Sequence, residues 1–244
     1  MPPDLRGGER RARPSRKGGR AGRIGELRPN DFDFLIEKGA PAYTLAPTPD
    51  RVCVIACGAL AREILDILAI NRLEHVALTC LPAKLHNTPQ KIVPEMARAI
   101  AEARAAGFTS VFCGYADCGT GGLLDALLEK EGVARLPGAH CYAFFSGAEA
   151  FTARGDLDMR SFFLTDFLAR HFDALTFRPL GLDRHPELRD AYFGAYEKVV
   201  FLSQAEDPDL LDRARAIAAK LGLEFEHRPT GYGDLSAAIA DLRP

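Results

Sequence analysis

An apolar run that breaks into a glycine-rich turn and reopens as a helix constrains this chain more than any other stretch. It reads Val111-Phe-Cys-Gly-Tyr-Ala-Asp-Cys-Gly-Thr-Gly-Gly-Leu-Leu124. The start suits a short buried strand, the glycines allow tight turns, and a helix is expected from about Leu123. Strand, glycine loop and helix in that order form the unit of an α/β protein. Helix N-terminal amides point into such a loop, and ligands gather there. Asp117 and Cys118 occupy the turn, so it offers an acid and a thiol at one place.

The same alternation runs through the rest of the first half. Val52-Cys-Val-Ile-Ala-Cys57 is a continuous apolar run, as in a strand buried on both faces. Leu60, Ile64, Ile67 and Leu68 then follow helical spacing. A second strand is expected at 75–81, a helix at 90–106 ending at Gly107, a third strand at 110–115, and a fourth at 139–145. The second half is richer in helix, with an amphipathic segment at 162–172 and a helix at 187–195. A strand at 198–203, a helix at 208–221 and a last strand at 223–227 complete it. The expected fold is α/β and Rossmann-like: a mainly parallel sheet flanked by helices, with a more helical C-terminal half. One domain over 31–244 is expected, with possible lobes at 51–150 and 151–244. It follows a basic, disordered extension at 1–30 that has too few apolar residues to fold alone.

Composition narrows the class of function. A net charge of -2 supplies no general attraction to nucleic acid or membrane. No apolar run approaches the roughly 20 residues a membrane helix needs, and no secretory core follows Met1, so a cytoplasmic protein is expected. Six cysteines without a CxxC pair are then thiols, ligands or core residues rather than a disulfide frame.

Ligands in parallel sheets sit at the carboxyl ends of strands. That rule would bring Cys57, Cys80, His86, Asp117, Cys118, His140 and Cys141 to one sheet edge. Three chemistries stay open. Thiolate and imidazole suit zinc or another transition metal such as iron or cobalt, with Cys57, His86, Cys118 and Cys141 as ligands. Alternatively Cys118, its pKa lowered near a helix start, is a nucleophile with His140 or His86 as base and Asp117 as orienter. Thirdly, Gly119, Thr120, Gly121 and Gly122 cradle an anion, and Arg184 in Asp183-Arg-His-Pro186 binds a carboxylate or phosphate. For each residue there is a plain structural role: buried thiol, capping acid, turn glycine, surface ion pair.

Several motifs together resemble a known family. They are Ala56-Cys-Gly-Ala-Leu60, Leu81-Pro-Ala-Lys-Leu-His-Asn87, Gly114-Tyr-Ala-Asp-Cys-Gly-Thr-Gly-Gly122, Gly138-Ala-His-Cys-Tyr142, Phe163-Leu-Thr-Asp-Phe167 and Leu180-Gly-Leu-Asp-Arg-His-Pro186. They are similar to domain-of-unknown-function family 1638 over about 52–242. The resemblance implies a metal-dependent enzyme or accessory factor in corrinoid-linked one-carbon methyl transfer, with corrinoid methyltransferase proteins as partners. A non-catalytic module binding a small anion or a partner protein is the alternative. Ala143 stands where the family pattern has glutamate, and Ala116 where glycine is common.

Overall fold

The computed structural model describes residues 36, 38–43, 45–46 and 48–243. The extension expected to be disordered, 1–30, lies outside those residues. Strands β1 (Ala40–Tyr43), β2 (Val52–Cys57), β3 (Val76–Leu81), β4 (Ser110–Gly114) and β5 (Ala134–Arg135) form a sheet of order β1-β3-β2-β4-β5. Pairing is parallel except at β1, which runs antiparallel to β3. Gly114 pairs with Ala56, and a Cβ on Gly114 would come within 2.8 Å of the Ala56 Cβ. Only glycine lets β4 lie that close to β2 at the point where both strands end.

The period-two alternation of β2 divides the first core. Val52, Val54 and Ala56 face α1 (Ala61–Ile70), packing with Ile64, Leu65 and Leu68. Cys53 and Ile55 face α2 (Ile92–Ala106) and α3 (Leu123–Glu131), packing with Met96, Ile100 and Leu124. Helices therefore cover both faces, as continuous apolar strands require. The α2 helix ends at Gly107, whose φ of 111° is a left-handed cap.

After the short helices α4 (Cys141–Ser146), α5 (Ala148–Ala153) and α6 (Gly155–Asp158) comes a second sheet. It holds β6 (Ser161–Thr165), β7 (Lys198–Ser203) and β8 (Glu224–Pro229), all parallel and in sequence order. Its helices are α7 (Asp166–Phe172), α8 (Arg189–Phe193) and α9 (Pro208–Leu221). A last helix, α10 (Gly233–Ala240), returns to the first sheet, where Leu235 and Ile239 join the core of α1. Tyr232 seals that return by donating its hydroxyl to Asp66 Oδ2 at 2.9 Å.

Two elements differ from expectation. The apolar segment at 139–145 is not a fourth strand; it turns as α4 between Gly138 and Gly147, and the fourth strand is the two-residue β5. A short apolar run is buried equally well by either periodicity. The segment at 162–172 is not one helix. Phe162, Phe163 and Leu164 pair with β7, and the helix begins only where the Thr165 side chain accepts from the Leu168 amide.

Candidate functional site

The carboxyl ends of both sheets meet at a small apolar cavity of about 30 Å³, room for roughly one or two water-sized groups. Cys57 ends β2, Ala83 and His86 follow β3, Tyr115 and Cys118 follow β4, and Thr165 ends β6. Cys141, at the start of α4, and Phe167, Leu168 and Leu175 complete the wall. Among the described residues no Asp, Glu, Lys or Arg side chain lines the cavity. The strand-end rule thus brings Cys57, His86, Cys118 and Cys141 together, from loops up to 84 residues apart (141 − 57).

Its thiols are neutral. Burial pushes Cys118 up to about 12, with the neighbouring Cys57 next in effect. Burial also raises Cys57, and raises Cys141 well above the ordinary thiol value, with Cys118 and Cys57 adding to the latter. The expected lowering at Cys118 does not occur, because loss of hydration outweighs the amides that reach it. His86 keeps an exposed face at the rim, yet loss of hydration and then His140 depress its pKa, so it too favours the neutral form.

Tyr115 is the residue that sequence reasoning missed. It is 2% exposed, it lines the cavity, and its hydroxyl finds no hydrogen-bond partner among the described residues. Burial, then Cys57, raises the phenol well above its ordinary value. The Cys57 sulfur, a weak acceptor, raises it both by charge and as a poorly aligned hydrogen-bond partner, and no partner of full hydrogen-bond geometry stands among the described residues. A buried phenol normally has a strong partner, and this one has only the weak Cys57 sulfur, so its hydroxyl remains able to donate to a better acceptor. The signal was a tyrosine directly after a buried strand.

The backbone at Cys118 is strained. Its φ is 49°, one of two positive values among non-glycine residues in the described chain. The turn is pinned because the Asp117 and Cys118 amides donate to Gly138 O and Ala139 O, at 3.0 and 2.9 Å. Thiol and left-handed backbone are therefore imposed together, a pattern typical of functional sites.

Other expected site residues stand elsewhere. Asp117 closes the glycine loop on itself: Thr120 Oγ1 donates to Oδ1 at 2.6 Å, and the Gly121 and Gly122 amides donate at 3.1 and 2.9 Å. The Thr120 hydroxyl, first, and those amides hold its carboxyl below the usual range. Asp117 therefore orients no histidine. The amides expected to cradle an anion are occupied, and by a carboxylate that would repel one. His140 is exposed and does not line the cavity, so it is not placed as a base for Cys118. Arg184 is exposed, stands 3.8 Å from Asp183, and does not line the cavity. Cys80 is buried in the core of the first sheet.

Behind Phe167 lies a second unpaired group. Glu63 is 2% exposed, and its Oε2 has no hydrogen-bond partner among the described residues. Burial and, secondarily, Asp166 push its carboxyl up to about 8. Helical spacing from Leu60 through Ile64 and Ile67 places Glu63 on the apolar face, so this one was legible in the sequence.

A family pattern of proteins of unknown function, DUF1638, matches residues 80–239. This chain belongs to the DUF1638 family. The match begins at Cys80 rather than near Val52, so it takes in His86, Tyr115, Cys118 and Cys141 and leaves out Cys57. No curated protein and no solved structure matches. Ala143 is buried in α4, two residues after the cavity residue Cys141. Among the described residues no helix is long and apolar enough to cross a membrane.

Proposed function

We propose that this DUF1638 protein is a metal-dependent enzyme or accessory factor of corrinoid-linked one-carbon metabolism, with the thiol cavity as its working centre. One observation supports the reading: three thiols from a strand end, a loop and a helix start share, among the described residues, a charge-free cavity with a buried tyrosine hydroxyl that lacks a well-formed partner. Thiols and imidazole are the donor types for zinc, iron or cobalt. The positions do not form a finished cage, since among the described residues no group of three or more His, Cys, Asp or Glu side chains is arranged to hold an ion. A structural zinc site is closed and complete. Neutral, unclustered thiols suit transient handling of a soft partner better than permanent storage. Metal would be taken up through Cys57, Cys118 and Cys141, with His86 at the rim.

Elemental analysis of protein purified without a metal-affinity tag tests this reading. Less than one equivalent of zinc, iron or cobalt is expected in the wild type as purified, rising to one equivalent when metal is added, and both amounts are expected to fall in a folded Cys118→Ser variant. A metal-free protein that also refuses added zinc and cobalt would remove the metal reading.

A further inference from the structure

The inner cavity has a larger neighbour. A pocket of about 310 Å³ is lined by His86, Asn87, Tyr142, Phe162, Leu164 and Thr176, and it shares His86, Leu168 and Leu175 with the inner cavity. The smaller space belongs mainly to loops of the first sheet, and the larger lies toward β6 and the segment after α7.

The shared wall is an irregular piece of backbone. His171 leaves helical geometry at φ -113° and ψ 18°, and a π turn follows at Asp173–Phe177. Asn87 holds that turn to the first sheet by donating its amide to Leu175 O at 2.8 Å. Single π turns recur at functional positions because they re-aim side chains out of helical register. Here the turn sets Leu175 between the two spaces.

We infer that the two spaces form one binding site for a small uncharged organic molecule with an apolar, flat body and a narrow hydrogen-bond-accepting end. The inference rests on the cavity being the working centre, and adds the class of ligand. Size supports it, because about 310 Å³ is at the lower end of ordinary ligand pockets. Charge supports it, because neither space is lined by Asp, Glu, Lys or Arg. Polarity fixes the orientation. The inner cavity offers the Tyr115 hydroxyl and neutral thiols as donors, and the Thr165 hydroxyl already accepts from the Leu168 amide. A carbonyl oxygen matches the free Tyr115 donor, and a cation finds no carboxylate among the described lining residues. The aromatic rings of Tyr142 and Phe162 offer the outer space flat apolar surface.

Two fluorinated probes test it on the full-length protein by ¹⁹F NMR titration: 4-fluoroacetophenone, and 1-ethyl-4-fluorobenzene, which has a similar shape without the carbonyl. The ketone is expected to bind wild type several-fold more tightly than the hydrocarbon. Tyr115→Phe is expected to erase that preference while hydrocarbon binding stays unchanged. Thr176→Trp, at a half-buried position of the outer wall, is expected to exclude both probes, and Leu180→Trp serves if that variant misfolds. The inference is overturned if wild type binds neither probe, shows no ketone preference, or keeps that preference in Tyr115→Phe. Full probe affinity in a folded outer-wall variant overturns it too. Zinc uptake is measured on the same samples. Protein that takes zinc but neither probe loses only the ligand inference, and protein that binds the ketone but no metal loses only the metal reading.

Discussion

Polar groups are treated in opposite ways at the thiol cavity and at the charged patch where α6 meets β7 and β8. Around Asp158 every charge is answered. Arg228 donates both terminal nitrogens to the carboxylate at 2.6 and 2.7 Å, Arg154 Nε adds a bond at 3.0 Å, and Lys198 Nζ lies 3.6 Å away. Lys198 and Arg228 also hold Glu226. Arg228 and then Arg154 keep the Asp158 carboxyl far below its ordinary value. Around the cavity the polar atoms are poorly answered: the Tyr115 hydroxyl, and Glu63 Oε2 behind it, lack a well-formed partner among the described residues, beside three neutral thiols. A satisfied network stabilises and fixes geometry, whereas an unsatisfied one costs stability and persists where function requires it.

The largest expected effect lies in the patch. Asp158→Ala leaves two arginines and a lysine sharing one neighbouring carboxylate, Glu226, over a site that is 7% exposed. It should cost about 4 kcal/mol in a urea melt while leaving metal and probe binding intact. A loss near zero would make the patch ordinary surface. The native Asp158 pKa is depressed, so its contribution is present above the unfolded value of 3.8 and is lost as pH falls below it.

Glu63 should behave with the opposite sign. Its native pKa is raised to about 8, so the folded state binds the proton more tightly than the unfolded chain. Stability is therefore greatest near the unfolded value of 4.5 and below, and declines as pH rises toward 8. Melts of wild type against Glu63→Gln should diverge across that range by on the order of 3 kcal/mol, with the variant flatter. Parallel curves would mean that Glu63 has a partner or a path to solvent.

Two cysteines sharpen the contrast at lower energies. Cys53 is 3% exposed in the core under α2, and Cys53→Ser should cost about 1–3 kcal/mol without changing binding. Cys118→Gly should do the reverse. Glycine suits a φ of 49°, so stability should hold or rise by about 1 kcal/mol while metal uptake is lost. A Cys118→Gly protein with wild-type uptake would make Cys118 a packing residue.

Much of this was legible before the fold was known. Continuous apolar strands such as 52–57 require helices on both faces, and parallel strands require their loops at one edge. Those two rules gathered Cys57, His86 and Cys118, whereas Cys141 arrives on α4 rather than on the strand expected at 139–145, and Cys80, Asp117 and His140, gathered by the same rules, do not line the cavity. What they could not give was the direction of single groups. Asp117 and Cys118 are adjacent, but one side chain turns back onto the loop amides and the other into the cavity, because Cys118 adopts a left-handed backbone. Arg184 shares a motif-rich segment with the second sheet, yet sequence carries no distance, and it stands in solvent beside Asp183. The signature at 139–145 was ambiguous in period, so a helix was taken for a strand.

Cobalt(II) titration followed by absorbance tests most directly whether the cavity is the working centre. Thiolate ligation to cobalt gives a charge-transfer band that oxygen and nitrogen ligands alone do not. The wild type is expected to develop that band at one equivalent. Cys57→Ser, Cys118→Ser and Cys141→Ser are each expected to weaken or abolish it, and Cys53→Ser to keep it. A band that survives all three cavity substitutions, or a wild type with reduced thiols that never develops one, would contradict the assignment.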